Sequence, residues 1–161
     1  MIEIGEQAPD FTLAGLDGLQ YSLHEVGTEP LLLAFFQADC GACKISAPYW
    51  NRLHAAYENI GWAFWLVSQD DAPVTREFVA TYKLMPTVLI DAPGFTVSAA
   101  YDPDATPTLY LVEPERRVTL ISHGFDKADL NAISRRIARY TGADFAEIGP
   151  AADGNPAFKP G

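Results

Sequence analysis

The stretch Ala38-Asp39-Cys40-Gly41-Ala42-Cys43-Lys44 decides how the rest of the chain reads. It carries the only two cysteines, three positions apart. The apolar run Leu31-Leu32-Leu33-Ala34-Phe35-Phe36 leads into it; without alternation, such a run suits a strand buried on both faces of a covered sheet. Behind it, Ile45, Tyr49, Leu53, Tyr57 and Ile60 recur at helical spacing. The cysteines therefore fall at a strand-to-helix turn, with Cys40 near the N-cap and Cys43 in the first turn. Positions i and i+3 of a helix lie within disulfide reach. A helix N-terminus offers partial positive charge and unpaired N–H groups, which favour a thiolate on Cys40. The thiolate is the nucleophile of disulfide exchange.

Three plainer uses of the pair compete with a redox role. A structural disulfide closing so short a loop contributes only about 2 kcal/mol, and a chain of 161 residues buries a core without that staple. A zinc site needs further ligands, yet there is no second cysteine pair, and His24, His54 and His123 are scattered. Two unrelated buried cysteines would meet this spacing and this junction only by chance. Redox chemistry is the reading the placement favours.

Composition bounds the rest. Apolar residues make up 48% and charged residues 20%, an ordinary globular balance for one domain. The net charge of −10 argues against nucleic acid and anionic membrane surfaces as partners. No apolar run approaches the ~20 residues of a membrane span. The start, Met1-Ile2-Glu3-Ile4, has neither a basic segment nor an apolar one of signal type. A cytoplasmic setting is expected, with a periplasmic or other extracytoplasmic one if a signal has been removed. In a reducing cytosol a lone CxxC is catalytic rather than structural.

In chain order, Phe11–Leu13 and Tyr21–Leu23 alternate around the turn dipeptide Asp17-Gly18 and predict a hairpin. The motif helix should stop at Gly61. Trp62 to Ser68 is the next buried strand. Asp70-Asp71-Ala72-Pro73 starts a helix whose apolar face is Val74, Phe78, Val79 and Tyr82. Thr87–Ile90 is a short strand and Phe95–Tyr101 a short helix or turn. Thr108–Val112 and Val118–Ser122 pair across a tight turn. Asp126 caps a last helix with Leu130, Ile133, Ile137 and Tyr140 inward. Residues 142–161 turn rich in Gly, Ala, Pro and Asp and predict a poorly ordered or surface-draped tail beyond a 1–141 domain.

Cys40-Gly41-Ala42-Cys43-Lys44-Ile45-Ser46-Ala47-Pro48 resembles the thioredoxin active-site run, Cys-Gly-Pro-Cys-Lys followed by apolar residues and Ala-Pro. From Phe11 to Tyr140 the pattern resembles the redoxin branch of that superfamily. This branch holds alkyl hydroperoxide reductase-like proteins and the thioredoxin-like proteins of cytochrome maturation. The resemblance implies an α/β thioredoxin-like fold: a central mixed sheet flanked by helices, an N-terminal hairpin, and a strand–helix insertion. It implies a thiol–disulfide oxidoreductase acting on protein or small-molecule disulfides, with Cys40 and Cys43 catalytic, Gly41, Ala42, Thr106 and Pro107 facing substrate, and Asp39, Lys44 and Pro48 in support. It implies no cofactor beyond the Cys40–Cys43 disulfide, no metal, and a monomer. The partners are a disulfide-bearing or dithiol protein and an electron donor or acceptor.

The resemblance also implies a cis-proline opposite the cysteines. Met85-Pro86-Thr87 and Thr106-Pro107-Thr108 are the candidates. Only Pro107 is followed by strand, turn, strand and last helix, so Pro107 is expected cis and Pro86 trans. Departures from the family pattern are plain. Asp39 stands where thioredoxins carry Trp, Ala34 where they bury an acid, and Ser46 where some relatives keep a Glu. No general base for Cys43 is therefore evident. A peroxidatic site would need Thr or Ser at Gln37 and Pro at Leu33, and neither matches. A thiol peroxidase and a redox-inert binding module of the same fold are the rival readings.

Overall fold

The computed structural model of the protein describes residues 1–161. A hairpin comes first, β1 (Thr12–Gly15) and β2 (Gln20–Ser22), turning at Gly18 with φ 80°, a left-handed conformation in which glycine avoids strain. The apolar run is β3 (Leu31–Phe36), the cysteine-bearing helix is α1 (Gly41–Ala56), and β4 (Ala63–Ser68) returns parallel to β3. Then come α2 (Ala72–Tyr82), β5 (Thr87–Ile90), α3 (Thr96–Tyr101), β6 (Thr108–Glu113), β7 (Arg117–His123), β8 (Phe125–Asp126), α4 (Lys127–Thr141) and β9 (Phe158–Lys159). Seven strands form one mixed sheet in the order β2-β1-β5-β4-β3-β6-β7, and β8 pairs with β9 separately. This is a thioredoxin-like fold. The inserted strand β5 joins the β1 edge to β4, and its helix α3 follows it.

All six residues of β3 are buried because helices cover both faces. Leu32, Ala34 and Phe36 pack with Trp50 of α1, Phe78 of α2 and Ile133 of α4. Leu31, Leu33 and Phe35 pack on the other face with Val97 and Tyr101 of α3. Alternation in one strand thus feeds two cores.

Three residues expected inward lie outward. Helix α1 ends at Ala56, well before Gly61, and the turn through Asn59 (φ 57°) and Gly61 (φ 91°) carries Ile60 to 39% exposure. In α2 the inward positions are Thr75 and Phe78, so Val74 is 41% exposed; the Thr75 hydroxyl satisfies itself against Ser68 at 2.6 Å. In the last turn of α4, Ile137 and Ala138 turn inward and leave Tyr140 at 46% exposure.

Residues 143–161 lie along α1 and α4. Ile148 is fully buried in the main core. Its backbone is tied by the Asn131 Oδ1 acceptor at 2.8 Å and by Arg52, which donates to its carbonyl at 2.6 Å. Further along, Lys127 Nζ donates to Asp153 at 2.6 Å and to the Asn155 carbonyl at 2.9 Å, and Tyr49 donates to the same carboxylate. These contacts deliver β9 to the edge of β8.

Candidate active site

Cys40 is the N-cap of α1 because the chain leaves β3 extended (φ −148°, ψ 111° at Cys40) and enters the helix at Gly41. Its Sγ accepts the Cys43 N–H at 3.1 Å, so one of the helix's otherwise unpaired donors points at the sulfur. The Cα atoms are 5.2 Å apart, and the two sulfurs stand at disulfide distance. Cys43 is fully buried, in one cluster with Ala47, Trp50 and Phe36. Cys40 is half-buried and reachable.

The second half of the site comes from the start of β6. The only cis peptide bonds are Thr106–Pro107 and Ala92–Pro93. Thr106 presents its carbonyl oxygen 3.1 Å from Cys40 Sγ. Pro107 is buried, and its carbonyl accepts Gly124 N–H at 2.8 Å. Met85–Pro86 is trans, and Pro86 lines a different groove with Leu16, Val79 and Leu84. Nothing in the sequence marks the cis bond at Pro93, since an X–Pro dipeptide in a loop does not reveal its isomer.

The remaining candidates separate by burial. Gly41 is exposed beside Cys40, but Ala42 is 2% exposed and turns into the core, so only one residue between the cysteines faces solvent. Asp39 and Lys44 are exposed on the rim of a groove floored by Val74, Phe78 and Tyr82. Pro48 lies inside α1, where its missing N–H leaves the Lys44 carbonyl without a helical donor. Ala34 is buried with no acid in its place. Ser46 is buried and donates to the Ala42 carbonyl at 2.7 Å, so it is committed to the helix backbone. Gln37 donates to Gln69 at 2.8 Å, and Leu33 is fully buried in β3. No group of three or more metal-ligating side chains comes together.

A polar cluster, which no motif in the sequence marks, forms where residues 153–155 meet Tyr49 and Lys127. Lys127 is 5% exposed, and its ammonium, with the Tyr49 hydroxyl, holds the Asp153 carboxyl well below the ordinary carboxylate range. Burial, followed by the hydrogen bond to Asp153, pushes the Tyr49 phenol up. Asn155 donates to the Tyr49 hydroxyl at 3.0 Å. Tyr49 reads as a core residue of α1, and only the path of residues 143–161 brings Asp153 and Asn155 to it. That same path lays Lys159 against Gly41 and Gly161 against Thr106. A Cβ at Gly41 would stand 3.2 Å from Lys159 Cε, and one at Gly161 only 2.3 Å from the Thr106 oxygen.

Comparison with known proteins agrees with this geometry. The model of the AhpC/TSA family matches residues 4–121. The thiol-disulfide oxidoreductase ResA of Bacillus cereus is 27% identical over 118 residues, which are 73% of this chain and 68% of that one. The thioredoxin-like protein YneN of Bacillus subtilis is 31% identical over 116 residues, covering 70% and 66%. Among solved structures, one from Chlorobium tepidum, provisionally named a thiol:disulfide interchange protein DsbE, superposes with a TM-score of 0.78. It is 28% identical and covers 86% of this chain and 98% of its own. The thioredoxin domain of a thiol-disulfide oxidoreductase from Bacteroides vulgatus shares the fold at a TM-score of 0.75 and 22% identity, covering 85% and 99%.

Proposed function

The chain belongs to the AhpC/TSA family, and we propose that it is a thiol–disulfide oxidoreductase, the activity for which the Bacillus cereus relative is named, in which Cys40 attacks and Cys43 resolves. The observation that carries the reading is the setting of Cys40. Its sulfur caps α1, accepts an N–H from the helix, and stands 3.1 Å from the Thr106 carbonyl oxygen. The helix end and the N–H stabilise negative charge on sulfur.

In the reducing direction, the Cys40 thiolate attacks one sulfur of a substrate disulfide. A Cys40–substrate disulfide forms, and the other substrate sulfur leaves as a thiolate that takes a proton from water. Cys43, deprotonated, then attacks Cys40 Sγ. The Cys40–Cys43 bond forms, the second substrate thiolate leaves, and two electrons have passed to the substrate. An external dithiol donor restores the reduced pair by the same exchange; run backwards, the sequence oxidises a dithiol. Thr106, Pro107 and Gly41 form the surface along which a substrate segment lies. Asp39 and Lys44 flank it with opposite charges. With Ala34 and Ser46 at these positions, neither supplies a carboxylate to take the Cys43 proton.

The substrates we assign are disulfide-bearing proteins, and the functional unit is a monomer, with residues 1–141 as the thioredoxin-like domain and 142–161 as its tail. No helix is long and apolar enough to cross a membrane. The compartment follows from redox poise. A couple near −270 mV fits a reducing cytosol, and one nearer −120 mV fits an oxidising compartment. Equilibration of Cys40–Cys43 with glutathione reads that potential directly.

The activity itself is tested by insulin reduction with dithiothreitol as donor. The chain should accelerate precipitation of the insulin B chain, and Cys40→Ser should abolish the acceleration. No acceleration, or acceleration that survives Cys40→Ser, overturns the assignment.

A further inference from the structure

Residues 157–161 occupy the face on which the proposed chemistry must receive its substrate. β9 pairs antiparallel with β8, Phe158 opposite Asp126 and Lys159 opposite Phe125. Lys127 N–H donates to the Ala157 carbonyl at 3.0 Å. Gly124 sits beneath the crossing: a Cβ there would stand 2.5 Å from the Lys159 carbonyl. One end of the segment covers Gly41, next to Cys40, with the Lys159 side chain. The other end covers the Thr106 carbonyl with Gly161, packed so closely that no side chain fits. Beyond Gly161 the path continues as a polar cleft lined by Gln37, Gln69, Asp104 and Thr106. A short extended strand thus lies across both halves of the site, held by backbone pairing.

Its attachment is lopsided. Residues up to Asn155 are fastened by buried Ile148 and by the Lys127–Asp153–Tyr49 cluster. The last stretch has no such anchor: Phe158 is 52% exposed, Pro160 and Gly161 are exposed, and Lys159 is half-buried. Strand addition to an exposed edge is a general way to bind an extended peptide, and its affinity comes from main-chain hydrogen bonds. A segment tethered nearby competes at an effective concentration in the millimolar range.

We propose that residues 157–161 are an intramolecular strap that occupies the protein-substrate surface, so that an extended substrate segment must displace them before its disulfide reaches Cys40. The inference rests on the thiol–disulfide reading of the site and adds its regulation. Small disulfides, which need no strand pairing, pass the strap. Proteins do not.

Two variants test this. A chain ending at Pro156 keeps every anchor up to Asn155, and Gly161→Val forces the strap off Thr106 without removing any residue. Reduced wild type and variants are mixed with insulin and, separately, with 5,5′-dithiobis(2-nitrobenzoic acid). The insulin rate should rise about tenfold, as when an open state grows from a tenth of the population to nearly all of it. The small-disulfide rate should change less than about twofold. Alkylation supplies a readout independent of turnover: Cys40 labelling by a polyethylene glycol-linked maleimide should rise relative to labelling by iodoacetamide. If insulin is turned over but neither ratio moves, or both reagents of a pair gain equally, the strap is refuted and the activity stands. If the alkylation ratio rises while no chain turns over insulin, the strap stands and the activity falls. Slower exchange in both variants would make the segment part of the catalytic apparatus and overturn the strap.

Discussion

Replacing Ile148 with Ala tests whether the last twenty residues belong to the cooperative core. Ile148 is fully buried among residues of the main core, although it lies beyond α4. Truncation removes three carbons, about 2.4 kcal/mol of transfer free energy at ~0.8 kcal/mol each. The backbone around it is pinned: Asn131 Oδ1 accepts the N–H groups of Ile148 and Gly149 at 2.8 and 2.9 Å, and Arg52 grips the Ile148 carbonyl at 2.6 Å. A pinned wall relaxes little, so a cavity remains and adds up to about 2 kcal/mol. The expected loss is about 3–4 kcal/mol, or roughly 6–16 °C in Tm for a chain of this size. Urea unfolding followed by tryptophan fluorescence measures it, with Phe158→Ala as the control. Phe158 is 52% exposed and should cost no more than about 0.5 kcal/mol. A loss under about 1 kcal/mol for Ile148→Ala, with an unchanged m-value, would refute the reasoning. The segment would then be an appendage that frays before the core unfolds, and its hold over the active site would be loose as well.

Other expectations follow from the same structure. In the reduced protein at neutral pH, iodoacetamide should label half-buried Cys40 roughly tenfold faster than fully buried Cys43, as mass spectrometry of the labelled peptides would show; the reverse order would exchange their roles. Cys43→Ser should trap a mixed disulfide with a protein substrate, and Cys40→Ser should trap none. Hydrogen peroxide should oxidise the pair slowly, because Gln37 is turned to Gln69 and no hydroxyl stands at that position; rapid turnover at micromolar peroxide would favour the peroxidase reading. The Asp153 carboxyl is held low in the folded state by Lys127 and then Tyr49, so the unfolded chain binds the extra proton. Its contribution to stability is present above the unfolded pKa of about 3.9 and fades as pH falls below it. Asp153→Asn should therefore flatten the acid limb of the stability–pH curve, and an unchanged limb would contradict the pairing.

Local information in the chain was enough for most strands and helices and for the reactive pair; the mixed sheet followed from the family resemblance, and β8 and β9 left no mark in the sequence. An unbroken apolar run before a helical repeat marks a covered strand and a packed helix, because burial is periodic with backbone geometry. Two cysteines at the junction inherit the helix end's unpaired donors from position alone. The order of elements after Pro107 marked that proline over Pro86, since topology governs which loop meets the start of α1. Tertiary structure decided what depends on contacts between distant residues. Whether Val74 or Thr75 turns inward depends on the partner across α2, and Thr75 wins because Ser68 satisfies its hydroxyl. Ala42 has the composition of a surface turn and the burial of a core residue. Above all, residues 142–161 read as loose because Gly, Ala, Pro and Asp show no period. They are held instead by single contacts: one buried isoleucine, one asparagine, and one buried lysine meeting an aspartate 26 positions away. Such contacts leave no periodic trace along the chain, so the strap across Thr106 and Gly41 emerges only when the chain is folded.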